Sequence, residues 1–280
     1  MKITPVTRQP LVVTALSAAF ALSMLLTLSV ATRAQVPPAT AGEVAEEPAL
    51  PQAQIPGYIK NAVQARSAND KKLDTARKPE QVMAFMGVKP GMQVADIFAG
   101  GGWMTEILSR TVGPDGKVYS INPPFPLRFH MISAAWQKRL KKPELKNVVA
   151  VSKPLDSADL IPAPAGSLDA AVIELNYHDL VGMKRNRAAL NATIFKALKP
   201  GGVYCVIDHS AKAGTGAQDA STLHRIDQQF VIDEVEKAGF KLAGASSALR
   251  NAQDQRTTLS RTYSGPGHTD RFMLKFVKPS

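Results

Sequence analysis

The sequence predicts an α/β domain in which a mostly parallel sheet carries helices on both faces. Three observations predict it. Apolar runs alternate with helical patterns from about residue 79 to the C-terminus, a run of three glycines joins the first strand to a long helix, and Pro-Gly pairs interrupt the chain where helices must stop.

Taken in order, Lys78-Pro79-Glu80 starts a helix through Met86, and Val88-Lys89-Pro90-Gly91-Met92 leads into a strand over 93–98. The three glycines, Gly100 to Gly102, form the turn, and a helix over 103–112 follows. Glycine suits such a turn because it tolerates positive φ and lets backbone approach a ligand, while the free N–H groups of the helix start offer donors. Gly113-Pro114-Asp115-Gly116 turns the chain into a second strand over 117–121. A helix over 127–140, a third strand over 147–152, a fourth over 168–175 and a helix over 187–198 come next. Lys199-Pro200-Gly201-Gly202 stops that helix before a fifth strand over 203–208. A helix over 226–238, closed by Gly239, and a terminal strand over 272–277 complete the pattern.

At 280 residues the chain suffices for one large domain and a tail. Residues 1–34 read as a secretory leader, with Lys2 and Arg8 ahead of an uncharged apolar stretch over 11–30 and Thr32-Arg33-Ala34 at the cleavage position. The stretch is long enough for an uncleaved anchor as well, and either reading places the domain outside the cytoplasm, periplasmic or secreted. Residues 35–56 hold Pro37, Pro38, Pro48, Pro51 and Pro56 with no sustained apolar period and read as a flexible linker; residues 57–280 form the domain. The formal charge of +11 includes Lys2, Arg8 and Arg33 of the leader, and the remaining bases are scattered. Their densest cluster, Lys138-Arg139-Leu140-Lys141-Lys142, reads as a solvated helix end, so there is no strong nucleic-acid signal. The expected partner is a small-molecule substrate, membrane contact is expected only through an uncleaved leader, and no oligomeric state is implied. The lone Cys205 sits in an apolar run and reads as a core residue, which excludes an intrachain disulfide.

The glycine spacing selects the nucleotide. A dinucleotide fingerprint aligned on Gly100 and Gly102 puts Thr105 where its third glycine is required, so the nicotinamide reading fails. An acid at the strand end followed by G-x-G, here Asp96, Gly100 and Gly102, resembles the first motif of class I S-adenosylmethionine-dependent methyltransferases; Phe98 stands where those usually have another glycine. Leu198-Lys199-Pro200-Gly201-Gly202 resembles what the same group carries before its fifth strand. The blocks Ala99 to Glu106, Asn122-Pro123-Pro124, Asn176-Tyr177-His178-Asp179-Leu180, Asp208-His209-Ser210, Thr222 to Asp227 and Thr269-Asp270-Arg271-Phe272 together resemble a family of predicted, often exported bacterial methyltransferases.

The resemblance implies a Rossmann-like class I methyltransferase fold with a seven-stranded sheet and S-adenosylmethionine as cofactor, contacted by Asp96, Ala99, Gly100 and Gly102. Asn122 holds the place at the second strand end where the fold usually has an acid for the ribose hydroxyls. An amide there binds more weakly than a carboxylate, and the alternative is that Asn122 only starts the turn into Pro123-Pro124. Polar groups gather after the fourth and fifth strands, where ligands bind in open α/β sheets. His178 is the first candidate general base for a substrate hydroxyl and His209 the second, with Asp208 beside them; both histidines also suit simple loop-capping roles. His224-Arg225 suits a lid, or an ion pair of Arg225 with Asp219 or Asp227. Asn176, Asp179, Asp208 and His209 have the ligand types of a magnesium, calcium or manganese site, but their spacing is not diagnostic and no metal ligand is assigned. The expected function is methyl transfer to a small hydroxyl- or amine-bearing acceptor. The competing one is an exported non-catalytic binding protein on the same fold, toward which Phe98 and Asn122 lean.

The leader yields a direct prediction: after expression with its own N-terminus, the mature chain begins near Gln35 outside the cytoplasm, as read by mass spectrometry. Recovery of intact Met1 in the soluble cytoplasmic fraction contradicts it.

Overall fold

The computed structural model describes residues 44–280 apart from Pro266. The expected leader and residues 35–43 of the expected linker lie outside the described residues, which fall within the compact unit Ala41–Ser280. Its strands are β1 (Glu46–Glu47), β2 (Gln93–Ile97), β3 (Lys117–Asn122), β4 (Val148–Ser152), β5 (Leu168–Glu174), β6 (Leu198–His209), β7 (Lys241–Ser246) and β8 (Arg271–Val277). Its helices are α1 (Gly57–Gln64), α2 (Ala68–Lys71), α3 (Asp74–Arg77), α4 (Pro79–Met86), α5 (Trp103–Val112), α6 (His130–Leu140), α7 (Tyr177–Gly182), α8 (Arg187–Ala197) and α9 (Gln228–Lys237).

One sheet runs in the order β1-β7-β8-β6-β5-β2-β3-β4, parallel except for β8, which is antiparallel to both neighbours. The order reverses between β2 and β5: β2 leads outward to β3, while β5 lies on its other side. A crevice opens at such a switch point beyond the carboxyl ends of the strands. The strands are apolar on both faces because both are covered. Ala95, Ile97, Ala171, Ile173, Tyr204 and Val206 pack with residues of α7, α8 and α9; Val94, Val172, Cys205 and Ile207 pack with residues of α1, α4 and α5. Cys205 is fully buried, and burial pushes its thiol pKa up, as suits an inert core residue.

Sheet and covering helices match the expected class, but among the described residues the strands number eight rather than seven. The eighth is the two-residue β1, from the stretch expected as linker, which pairs in parallel with the edge strand β7. It is held by Arg250, whose Nε donates to Glu46 Oε1 at 2.7 Å. Ile55, at the end of the same stretch, is buried against α1 and α4 residues. The assignment of elements in sequence passed over β7, whose Leu242-Ala243-Gly244-Ala245 core offers small residues and an irregular register between Leu242 and Gly244 instead of an alternating apolar pattern. Among the described residues no helix is long and apolar enough to cross a membrane.

Candidate functional site

Beyond β2 the chain enters the left-handed region three times, at Phe98 (φ 60°), Gly100 (φ 55°) and Gly102 (φ 76°). For Phe98 this costs about 1–2 kcal/mol that glycine would not incur. The loop is fixed from three sides. Asn122, fully buried at the end of β3, accepts from the Gly100 N–H at 2.9 Å and donates to the Gly100 carbonyl at 3.1 Å. Arg139 Nε donates to the Gly101 carbonyl at 2.9 Å, and Asn176 Nδ2 to the Phe98 carbonyl at 3.2 Å. A carboxylate in place of Asn122 could take the N–H but would repel the carbonyl; an amide satisfies both. The structure thus puts the Asn122 amide on the glycine turn itself instead of on the cavity wall.

A cavity of about 420 Å³ opens on this turn, within the size range of small-molecule sites. Asp96, Ala99 and Gly100 line it, as do Glu174 and Asn176 from the β5 end. A Cβ at Gly100 would meet nothing within 4 Å, whereas one at Gly102 would press on Arg139 Cδ at 3.0 Å. Gly102 caps α5 and does not line the cavity. A larger hollow of about 810 Å³ lies beside Ser210, Arg250 and Arg256, but its charges neutralise one another: both arginines pair with Asp270, and Arg250 also with Glu46.

The cavity floor is acidic. Asp96 is buried and, among the described residues, has no ion-pair partner; burial pushes its pKa up to about 7, and the nearby Glu174 adds to the rise. Thr105 Oγ1 donates to Asp96 Oδ2 at 2.5 Å. Burial also raises Glu174, against the pull of Arg77 and Arg271. Behind the turn, Arg139 and Lys142 converge on the buried Glu106. Arg139 also pairs with Asp70 at 2.6 Å; burial opposes ionisation of Asp70, but Arg139 and Ser67 outweigh it and hold the pKa at about 2. The basic cluster that reads as a solvated helix end is therefore partly the electrostatic backing of the glycine turn.

The second polar group lies two residues beyond Asn176. Asp208, fully buried at the end of β6, accepts from the His178 N–H at 2.8 Å, pairs with His178 Nδ1 at 2.7 Å and accepts from the His209 N–H at 2.7 Å. Burial raises Asp208, but the His178 contacts outweigh it and lower its pKa; burial likewise opposes protonation of His178, and Asp208 outweighs it and raises that pKa. His209 turns away, its Nδ1 2.7 Å from Thr269 Oγ1; burial, with Arg271 beside it and against the pull of Asp208, pushes it down to about 3. His224, which in the sequence suits a lid over the site, joins this group directly: its Nδ1 lies 3.1 Å from His178 Nε2, a pairing with no sequence signal. Arg225, fully buried, forms neither a lid nor a pair with Asp219 or Asp227; it holds Asp254 through two nitrogens and the Ser210 and Thr258 carbonyls. The four residues with metal-ligand chemistry in the sequence are not brought together, since Asp208 serves His178 and His209, His209 faces Thr269, and Asn176 holds the Phe98 carbonyl.

The sequence model of the ubiE/COQ5 methyltransferase family matches residues 72–225. The ubiquinone/menaquinone biosynthesis C-methyltransferase UbiE of Shewanella pealeana is 29% identical over 124 residues, which are 44% of this chain and 45% of that protein, so the chain spans less than half the length of this curated relative. Among solved structures, an S-adenosylmethionine-dependent methyltransferase from Aquifex aeolicus shares the fold with a TM-score of 0.53 and 19% identity over 79% of this chain and 98% of that one. An arsenic(III) S-adenosylmethionine methyltransferase from Chlamydomonas reinhardtii does so with 0.52 and 14%, over 80% and 74%.

S-adenosylmethionine is the cofactor of this methyltransferase group, and the cavity fits it. Its sulfonium and ammonium are cations, and the floor offers Asp96, a buried carboxylate with no ion-pair partner among the described residues, while Glu174 beside it already pairs with the cavity-lining Arg77 at 3.5 Å. The backbone at Ala99 and Gly100 is open to close approach by a nucleoside.

Two outcomes test this site. Gly100→Val places a branched side chain on the open side of the turn at positive φ; the variant folds by circular dichroism but loses S-adenosylhomocysteine binding, and parental affinity would move the pocket elsewhere. Asp96→Asn tests the buried charge. A carboxyl pKa raised on folding leaves stability intact below the unfolded pKa and removes it as pH rises to about 7. The ligand-free variant is therefore more stable than the parent at pH 8, by roughly 4 kcal/mol at most, and gains little at pH 4 in urea unfolding. An equal effect at both pH values overturns the assignment.

Proposed function

Because the chain belongs to the ubiE/COQ5 methyltransferase family, we propose that it transfers a methyl group from S-adenosylmethionine to a small acceptor bearing a hydroxyl or amine, held beyond the carboxyl ends of β5 and β6. The observation that carries the reading is the Asp208–His178 pair, set two residues from the cavity-lining Asn176. In one loop it joins a donor site to a base.

When bound, the donor supplies an electrophilic methyl group on a good leaving group. The chain's own work is then to hold and orient. Asp96, with Glu174 beside it, would hold the donor's positive charge, and the turn from Ala99 to Gly101 would hold its nucleoside. Asp208 takes the proton side of the imidazole at Nδ1, which leaves the lone pair on Nε2 of His178. That nitrogen accepts the acceptor's proton as its oxygen or nitrogen becomes nucleophilic. His209, held near a pKa of 3, is the poorer base.

The Shewanella relative is a carbon methyltransferase of quinone biosynthesis by name. Ionising a ring hydroxyl activates its own oxygen and the neighbouring ring carbon alike, so the same base serves either acceptor atom. Phe98, Trp103, Met104 and Ile132 line the cavity and give it an apolar wall suited to an aromatic acceptor.

The expected outcome of His178→Ala is a fall in turnover of roughly 10² to 10⁴ with donor affinity nearly unchanged, measured by label transfer from S-adenosylmethionine to a panel of phenols and amines. His209→Ala has a smaller effect. Full turnover in both variants would make the histidines structural.

A further inference from the structure

Three side chains, those of His178, Asp179 and His224, meet in a way the methyl-transfer reading does not require. His178 Nε2 lies 3.1 Å from His224 Nδ1 and 3.4 Å from Asp179 Oδ1, and His224 Nδ1 lies 3.2 Å from the same Asp179 oxygen. The three atoms form a nearly equilateral triangle. A tetrahedral zinc ion with ligands at about 2.0–2.1 Å sets neighbouring ligand atoms about 3.3 Å apart, so this triangle has the dimensions of one face of such a site.

The proton count leads to the same place. Asp208 accepts from two backbone N–H groups, so the His178 proton toward it sits on Nδ1 and Nε2 presents a lone pair. Arg261 Nη2 lies 2.6 Å from His224 Nε2, and a guanidinium only donates, so the His224 proton sits on Nδ1. With His178 neutral, one proton therefore serves three converging atoms, and the His178 and Asp179 lone pairs face each other, a place that a bound cation would fill. Asp208 already does for His178 what a carboxylate behind a ligating histidine does in metal sites, fixing tautomer and ring orientation.

We propose that His178 Nε2, Asp179 Oδ1 and His224 Nδ1 bind one divalent cation of the zinc class. Two imidazoles and a single carboxylate oxygen favour zinc or a neighbouring transition metal over magnesium and calcium. The fourth position is on the solvent side, because the Asp179 and His224 side chains are 31% and 21% exposed while that of His178 is 3% exposed. Loading moves the His224 proton to Nε2 and displaces Arg261, whose exposure lets it swing away. The site does not depend on the methyl-transfer reading. Metal and acceptor proton compete for the same lone pair on His178, so a loaded site withholds that base.

The test is calorimetric titration of the full chain, stripped with a chelator and dialysed, with zinc chloride in a non-coordinating buffer and no methyl donor or acceptor present. The expected result is one equivalent bound at micromolar affinity or tighter, with no response to magnesium. Cobalt(II) titrated in its place gives the visible absorption of a four-coordinate ion. Asp179→Asn and His224→Ala, both at part-exposed positions, each weaken binding by about tenfold or more while circular dichroism is unchanged. Arg261→Ala tightens it, because a competing donor and a positive charge are gone. Absence of zinc binding, or binding indifferent to the Asp179 and His224 variants, overturns the site. Since binding is read without turnover, neither result bears on whether a methyl group is transferred.

Discussion

A buried carboxylate that has no cationic partner among the described residues governs the architecture around the crevice. Asp96 is the penultimate residue of β2 at the switch point of the sheet, and a chain of hydrogen bonds runs to it from three other elements. Trp136 Nε1 of α6 donates to Ser120 Oγ of β3 at 2.8 Å, Ser120 Oγ lies 2.8 Å from Thr105 Oγ1 of α5, and Thr105 Oγ1 donates to Asp96 Oδ2. Every member is buried. The chain satisfies one carboxyl oxygen with neutral groups and supplies no positive charge, so ionising Asp96 remains costly until a cation arrives. A site built this way exchanges some stability of the empty protein for selectivity toward a cationic ligand, and ligand binding then stabilises the fold.

The second constraint is the short path from β5 to α7. Glu174 and Asn176 line the cavity, Leu175 between them takes a left-handed φ of 59°, and His178 follows two residues later. Asn176 ties this path to the glycine loop through the Phe98 carbonyl, while Asp208 ties it to β6. The cavity and the proposed base thus sit on adjoining parallel strands with little freedom to drift apart, an arrangement that the proposed in-line transfer would require. Metal ions and acceptor protons would meet at the far end of the same path, on His178.

Much of this was legible in the sequence because it is local. Strand, glycine turn and helix at 93–112 announce themselves by apolar runs, three glycines and a resumed helical pattern, and His178 follows and Asp208 ends a strand that the pattern identifies. What stayed hidden depends on contacts distant in sequence. Arg139 looks like one charge of a solvated cluster until α6 packs beside α5 and brings it to Glu106, Asp70 and the Gly101 carbonyl. Asn122 reads as a weakened ribose contact until the Gly100 peptide is seen between its two amide atoms. His224, 46 residues from His178, has no local signal of partnership. Strand β7 escaped because its packing uses alanine and glycine at an irregular register, and β1 because two residues of a Pro-rich stretch carry no period.

The central claim, that the cavity recognises a cation through Asp96, is tested most directly by calorimetry of S-adenosylmethionine binding across pH in buffers of different ionisation enthalpy. With Asp96 near a pKa of about 7 when empty, binding releases a proton most strongly below that value, and affinity rises with pH before levelling off above it. Asp96→Asn abolishes both trends. Affinity and proton release that stay flat across this range in the parent chain, or trends that persist in the variant, would contradict the account.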